Sequence, residues 1–477
     1  MSSPRKLSLT ALIVGLALVL GGAARIYRLA DRSYKDVQRI SAGPPIQHDI
    51  SVPGLPQNLS RILVSDLFYR RHPPGYDLMM FLITWVFGPS PAVMVLPSFL
   101  FSVASIGLVY WLGLLIGQRV PGCIAALLLA FNGYQVFMSQ TTGPYSLVCS
   151  LSLLATILLV LLSQEIGSER GLESCYAVVL LLGLFCQHCF WALLAIHMLW
   201  VLANAWVQDR RLPRLLNIQI LVMILGSPLL AVATLQSRNQ ATALTANALV
   251  MAREYALFYW FLPGFNELLT GRTIARLSSP TVDLAFRALL CVFCVWLFVI
   301  GSRRLSPVDD PTLSAPSKPF IGLWILATVL ATLADVGLIF ATRRQVAHNP
   351  GIWLQTLPGV EALAVLPSIL FMAAIALLQS WLPLRVIGRK LQPRALAGGQ
   401  RLILLLAIMP FAVFLIASIP MEPFLSARDL LFVAPYLLLA LACGIFAIGR
   451  RSRSLAIALF LVLAALHSYS LWAYSIY

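Results

Sequence analysis

Charge is the scarcest property of this chain. Only 11% of its 477 residues are charged, against 60% hydrophobic. Soluble domains carry about 25% charged residues, so that shortage excludes an ordinary soluble globular protein. Acids are rarer than bases, with 18 Asp and Glu against 34 Lys and Arg, and the net charge is +16. The surplus does not point to nucleic acid, because no basic face with interleaved aromatics forms a separate domain. Eight cysteines are present, all in or at the ends of apolar runs, where they act as small hydrophobes. Cys186 and Cys189 flank His188, and Cys291 and Cys294 repeat the spacing, but neither pair has the ligand-rich setting of a zinc or redox site. Internal repeats are lacking too, which weighs against a secondary transporter built from duplicated halves.

Long apolar runs fill what remains. A membrane span needs about 20 apolar residues. Runs of that kind lie near 7–24, 92–116, 121–138, 145–163, 175–187, 190–207, 215–234, 281–301, 320–341, 362–384, 401–420, 430–449 and 454–474. The reading is an all-α integral membrane protein, a polytopic bundle of about thirteen spans. The first run, after Met1 to Lys6, resembles a signal peptide. It leads through Gly21–Ala24 straight into Arg25 and is read as a helix that stays.

Basic residues set the expected topology. With Arg5 and Lys6 inside, the junctions holding Arg119, Arg170, Arg210, Arg211, Arg214, Arg303, Arg304, Arg385, Arg389, Lys390, Arg394, Arg450, Arg451 and Arg453 all fall on the cytoplasmic side. This works only if 76–87 does not cross and instead forms a re-entrant or interfacial helix, since about twelve residues are too few to span. Outer segments then occupy 25–75, 235–280 and 342–361. The Pro- and Ser-rich stretch 306–319 reads as a cytoplasmic connector. The chain divides into a core over 1–234, which contains the first outer loop 25–91, an outer loop 235–280, and C-terminal spans over 281–477.

Polar residues gather at four junctions. His72-Pro73-Pro74-Gly75-Tyr76 ends the first outer loop. Two prolines stop a helix before them and prime the next, so backbone N–H groups at that new N-terminus favour an anion, with Arg70, Arg71 and His72 beside it. Interfacial anchoring by Arg and Tyr is the plainer role for the same residues. Ser139 to Tyr145 forms a polar break containing Gly143-Pro144, a turn signal. Cys186 to Cys189 and Ser426 to Leu431 sit at two further junctions. Asp335 falls inside an apolar run and is a functional or paired acid by default. His197 and His467 read as helix-packing residues.

The stretch from Arg71 to Ser150 resembles the N-terminal core of the GT-C superfamily. These are membrane glycosyltransferases that use polyprenyl-phosphate sugars, among them the protein O-mannosyltransferases and the lipid A aminoarabinose transferase. The resemblance covers about residues 1–200 and recurs near Arg428. It is carried by the HPP turn and by the Ser139-Gln140…Tyr145 break. It implies a GT-C-type bundle with extracytoplasmic loop helices and inverting transfer of a monosaccharide from a polyprenyl-phosphate carrier. The acceptor would be an extracytoplasmic protein, lipid or polysaccharide, with membrane lipid as the surroundings. The location would be a bacterial inner membrane, with the N-terminus cytoplasmic and the site facing outward.

Residue by residue, the resemblance implies Asp36 as general base, at the position of the family's first-loop aspartate. Asp49 and Asp66 are the alternatives in the same loop, and a surface ion pair with Lys35 or Arg39 is the plainer role for Asp36. Tyr69, Arg71, His72, Gln140, Tyr145, His188 and Arg428 would bind donor phosphate or substrate. Val37 and Thr141 stand where relatives carry acids, and Gly143 where they carry arginine. Their absence removes the evident oxygen ligands for a divalent cation, so a site without metal or other cofactor is expected, with a divalent cation held by other ligands as the alternative. Two rivals remain: a transporter or flippase of a lipid-linked precursor, and a non-catalytic subunit of a polysaccharide assembly complex.

Overall fold

The computed structural model describes residues 9–27, 73–87, 91–163, 170–205, 212–241, 402–411 and 429–476, with one to three positions at a time at 268, 289, 292–293, 295–297 and 299–300. Every described element is helical, and no strand occurs among the described residues. That is the expected solution for an apolar chain, because a helix satisfies its own backbone where water is absent. The helices are α1 (Leu9–Ile26), α2 (Gly75–Phe87), α3 (Pro91–Leu115), α4 (Arg119–Phe131), α5 (Gly133–Ser139), α6 (Tyr145–Ser163), α7 (Arg170–Cys186), α8 (Phe190–Ala205), α9 (Leu212–Ala241), α10 (Ala434–Gly449) and α11 (Arg453–Ile476). A 3₁₀ turn, Leu431–Val433, leads into α10. A further helical stretch covers Leu402–Phe411.

Four described helices are long and apolar enough to cross a membrane, and a fifth is added if the bent pair α4–α5 counts as one span. The chain is therefore a multi-pass membrane protein. Runs 320–341 and 362–384, most of 281–301 and the end of 401–420 lie outside the described residues. The spans through α3, α6 and α10 are each 94% buried within the protein, whereas α11 is 17% buried. The first three thus form the centre and α11 the rim. α11 turns Leu455, Ile457, Leu461 and Val462 outward, an apolar exterior suited to lipid. α3 packs along α6 and α4, α10 along α4, and α1 along α4.

Small residues allow the closest crossing. A Cβ on Gly113 of α3 would lie 2.6 Å from the Cα of Gly122 of α4, the kind of backbone approach that membrane bundles use for packing. The connection is equally tight. Gly117 sits at φ 75, and the N–H groups of Gly117 and Gln118 donate to the carbonyls of Leu114 and Gly113. This is the paired bonding that ends a helix with a left-handed glycine.

The run 121–138 was expected as one span. It is two helices bent by 59° at Asn132. Asn132 caps the second helix by accepting from the Gln135 N–H at 3.0 Å, and its amide donates to the Leu268 carbonyl at 2.9 Å. The end of α4 is held by Arg25, which the sequence placed at the start of an outer loop. Arg25 is instead fully buried. Its Nε donates to Ser102 Oγ at 2.8 Å, Nη1 to the Gly21 and Ala130 carbonyls at 2.9 and 2.8 Å, and Nη2 to the Leu129 carbonyl at 3.2 Å. Carbonyls in a helix's last turn have no intrahelical donor and carry the negative end of its dipole. A cation supplies both needs.

A second buried polar chain ties five helices together. Thr156 Oγ1 donates its single proton to the Ser152 carbonyl at 2.9 Å. It must therefore accept from Tyr436 OH at 2.8 Å and from His197 Nε2 at 3.2 Å. His197 then carries its proton on Nε2, and Nδ1 accepts from Tyr176 OH at 3.0 Å, which accepts in turn from Gln219 Nε2 at 2.9 Å. Every donor has one acceptor, so His197 is a packing residue with a defined tautomer. Thr156→Val keeps the shape but strands two donors. It is expected to cost about 1–2 kcal/mol, read as a lower unfolding midpoint in detergent. An unchanged midpoint would show that the chain of bonds adds nothing.

Candidate functional site

Antiparallel connections sort the helix ends into two groups. At one end Arg119 Nε meets Thr10 Oγ1 at 2.9 Å, and Arg214 pairs with Glu173 at 3.1 Å. Arg450, Arg451 and Arg453 follow the far end of α10. The opposite end collects the polar junctions.

α2 begins directly after Pro73-Pro74, with the Leu78 N–H donating to the Pro74 carbonyl at 2.9 Å. The first turn lies flush on the end of α7. A Cβ on Gly75 would fall 2.5 Å from the Phe185 carbonyl oxygen, so only glycine fits there. Tyr76 OH accepts from the Gly143 N–H at 2.9 Å, and Ser98 Oγ donates to the Gly143 carbonyl at 3.1 Å. The start of α2 after Pro73-Pro74 and the Ser139–Tyr145 break, bonded through residues 67 positions apart in sequence, are thereby docked on each other.

Within the break, Gln140 is buried and donates through Nε2 to the Arg25 and Tyr27 carbonyls at 2.9 and 2.8 Å. It holds the end of α1. Ser139 Oγ donates back to the Val136 carbonyl at 2.6 Å. Tyr145 opens α6, with its ring against Gly143. The aligned Ser and Gln thus shape the junction, and Tyr145 is the half-buried member of the three.

The Cys186–Cys189 turn joins this end. His188 is half-buried, and its carbonyl accepts from the Trp191 N–H. Gln187 Nε2 donates to Asp429 Oδ1 at 2.9 Å, linking the turn to the start of the 3₁₀ turn before α10. Burial first, and the Asp429 carboxylate second, push the Cys189 thiol well above its ordinary value. A protonated thiol is the wrong form for a nucleophile or metal ligand. Among the described residues no group of three or more His, Cys, Asp or Glu forms a metal site.

Four junctions singled out from the sequence therefore meet at one end of the bundle. Gln140, Tyr145 and His188 are there. Asp36, Asp49, Asp66, Tyr69, Arg71, His72 and Arg428 lie outside the described residues, although Pro73 and Asp429, next to two of them, belong to the same end. Two acids that the sequence reading passed over as site residues also face it. Asp77 occupies the first turn of α2, within electrostatic reach of Tyr76, and Asp429 is bonded to Gln187. An acid in the first turn of a helix that begins at the HPP motif was the available signal for Asp77.

No family model and no curated protein matches the chain. Several solved structures do, at low identity. The oligosaccharyltransferase AglB from Archaeoglobus fulgidus, in complex with an inhibitory peptide and a dolichol-phosphate, is 14% identical over 85% of this chain and 47% of its own, with a TM-score of 0.37. The apo form of the Archaeoglobus fulgidus oligosaccharyltransferase is 14% identical over 99% of this chain and 56% of its own, at 0.42. ArnT from Cupriavidus metallidurans, bound to undecaprenyl phosphate, is 14% identical over 92% of this chain and 77% of its own, at 0.36. These are glycosyltransferases of the GT-C superfamily. The chain spans about half the length of the oligosaccharyltransferases it matches.

Proposed function

We propose that the chain is a membrane glycosyltransferase that moves a monosaccharide from a polyprenyl-phosphate carrier to an extracytoplasmic acceptor. The observation that supports it is the meeting of the HPP turn, the Ser139–Tyr145 break, the Cys186–Cys189 turn and Asp429 at one end of the bundle, opposite the basic end. A transferase of this kind needs a base for the acceptor and cations for the leaving phosphate. Asp36 is assigned the first role. His72, Arg71 and Arg428 are assigned the second, Arg428 through the bidentate geometry a guanidinium offers phosphate. Tyr69, Tyr145 and His188 are assigned contacts with donor or substrate, and Gln140 holds the junction in shape. By the positive-inside rule this end faces outward.

The test is transfer from a purified polyprenyl-phosphate sugar by the protein in proteoliposomes, with cleavage of the sugar–phosphate bond followed by chromatography. A rival transporter would move the intact lipid with no bond broken. The 59° bend between α4 and α5 is the observation that favours it, since transporters use discontinuous helices. Activity is expected to survive EDTA, because Val37 and Thr141 replace acids that would bind a cation. Complete loss on chelation, restored by manganese or magnesium, would show that other residues supply the ligands.

A further inference from the structure

Gly143 is the joint of the Ser139–Tyr145 break. Glycine has the widest backbone freedom of any residue, and Pro144 beside it has no N–H to donate. Gly143 is nevertheless buried, and its backbone is clasped by two other helices. Its N–H donates to Tyr76 OH of α2 at 2.9 Å, and its carbonyl accepts from Ser98 Oγ of α3 at 3.1 Å. Ser98 is also bonded to the Tyr76 hydroxyl. Since the Ser98 proton goes to the carbonyl, Tyr76 is the donor in that pair. The three groups close a ring of bonds around one glycine.

The side of Gly143 without a side chain is used as well. A Cβ there would lie 2.8 and 2.9 Å from Cε2 and Cδ2 of Tyr145, so the edge of the Tyr145 ring rests on the glycine backbone. Tyr145 is half-buried at the start of α6. The place of its ring follows from the Gly143 peptide, and the Gly143 peptide is held by the Tyr76 hydroxyl. Tyr76 is itself held in place, because Gly75 is seated on the Phe185 carbonyl at the end of α7. Phenylalanine at this position would fill the same space and lack the acceptor. A buried N–H left unpaired is costly, and a glycine relieves it by turning its peptide.

We infer that Tyr76 is a positioning residue for sugar transfer: acting through Gly143, it fixes the angle at which the Tyr145 ring meets the substrate. The role rests on the reading of the chain as a sugar transferase and on the contact assigned there to Tyr145.

Two readouts on the full chain in nanodiscs test it. The first needs no substrate: a ring-fluorinated tyrosine in place of Tyr145 reports the ring by fluorine NMR. Tyr76→Phe should shift or split that resonance, and an unmoved resonance overturns the link. The second is kcat/KM for release of undecaprenyl phosphate from its glucosyl and mannosyl derivatives. Tyr76→Phe should lower it about ten- to a hundredfold, the scale of a misplacement of about 1 Å. On a Tyr145→Ala background the same substitution should cost less than about twofold, because the ring it positions is gone. A packing role would lower both backgrounds alike, so equal losses overturn the inference, as does a Tyr76→Phe enzyme as active as the parent. If Tyr76→Phe does not fold, Ser98→Ala decides, since it releases the Gly143 carbonyl: an unmoved resonance with an unchanged rate refutes the role. A parent that releases no carrier, with a resonance that still answers to Tyr76→Phe, would overturn the transferase reading and the role in transfer while keeping the Tyr76–Tyr145 link.

Discussion

Replacing Arg25 by methionine is expected to destabilise the protein by several kcal/mol, with a lower unfolding midpoint in detergent or nanodiscs. Three of the arginine's hydrogen bonds cross between helices, to Ser102, Leu129 and Ala130. At the ~0.6 kcal/mol average measured for interhelical bonds inside membranes, losing three costs about 2 kcal/mol. At the strength of bonds to a charged group, about 1.5 kcal/mol each, the loss approaches 5. The higher figure is favoured because two of the acceptors, Leu129 and Ala130, are last-turn carbonyls with no intrahelical donor. Methionine fills the space and leaves them orphaned in apolar surroundings. Arg25→Lys should fall between, since one ammonium reaches fewer of four acceptors spread over three helices. A methionine variant as stable as the parent would mean that α4 ends at Phe131 without help.

The consequence reaches the candidate site. Gln140 holds the end of α1 through the Arg25 and Tyr27 carbonyls, and Arg25 holds the end of α4. Both residues therefore fix the angle at which α5 enters the Ser139–Tyr145 break. The sugar-transfer rate of Arg25→Met, measured below its unfolding midpoint, should fall as well.

Arg25 also shows where sequence reading stopped. The helix from Leu9 was legible, because an apolar run of that length has few alternatives in lipid. The bounds of α3, α6, α10 and α11 followed from the same periodless hydrophobicity, to within a few residues. What an apolar run cannot reveal is where its few polar groups find partners. Arg25 looked like the start of a loop because its acceptors on other helices, Ser102, Leu129 and Ala130, lie more than 75 residues away. The bend at Asn132 did have a local signal, since Asn-Gly is a turn dipeptide and Asn a favoured helix cap. It was outweighed by the apolar residues on both sides. His197 was read correctly as packing, but its chain of bonds to Tyr176, Thr156 and Tyr436 joins helices that no spacing rule connects.

Of the site, the motifs were legible and their division of labour was not. Ser139 and Gln140 aligned with a family pattern, and alignment alone does not distinguish a ligand from a strut. The hydrogen bonds of Gln140 make it a strut at its nitrogen end. Asp77 went unremarked because a residue after two prolines and a glycine reads as helix start, and a first-turn acid is already explained by the helix dipole.

Asp36→Asn is expected to keep donor binding and lower turnover about a hundred- to ten-thousand-fold, the usual cost of losing a general base. Asparagine matches aspartate in size and keeps one acceptor oxygen, so positioning survives while basicity is lost. The measurement is turnover together with affinity for the polyprenyl-phosphate sugar, which separates a chemical defect from a binding one. Asp49→Asn and Asp66→Asn are the controls within the first outer loop. Asp77→Asn is the control the structure adds, since that carboxylate stands at the helix start beside the docked junctions. Near-normal turnover in Asp36→Asn, with loss in one control, would transfer the base to that residue. Loss in Asp77→Asn alone would place the chemistry at the α2 N-terminus, where backbone N–H groups also favour a phosphate. Normal turnover in all four would leave neither a first-loop acid nor Asp77 as the base, and the transferase reading would lose its main mechanistic support.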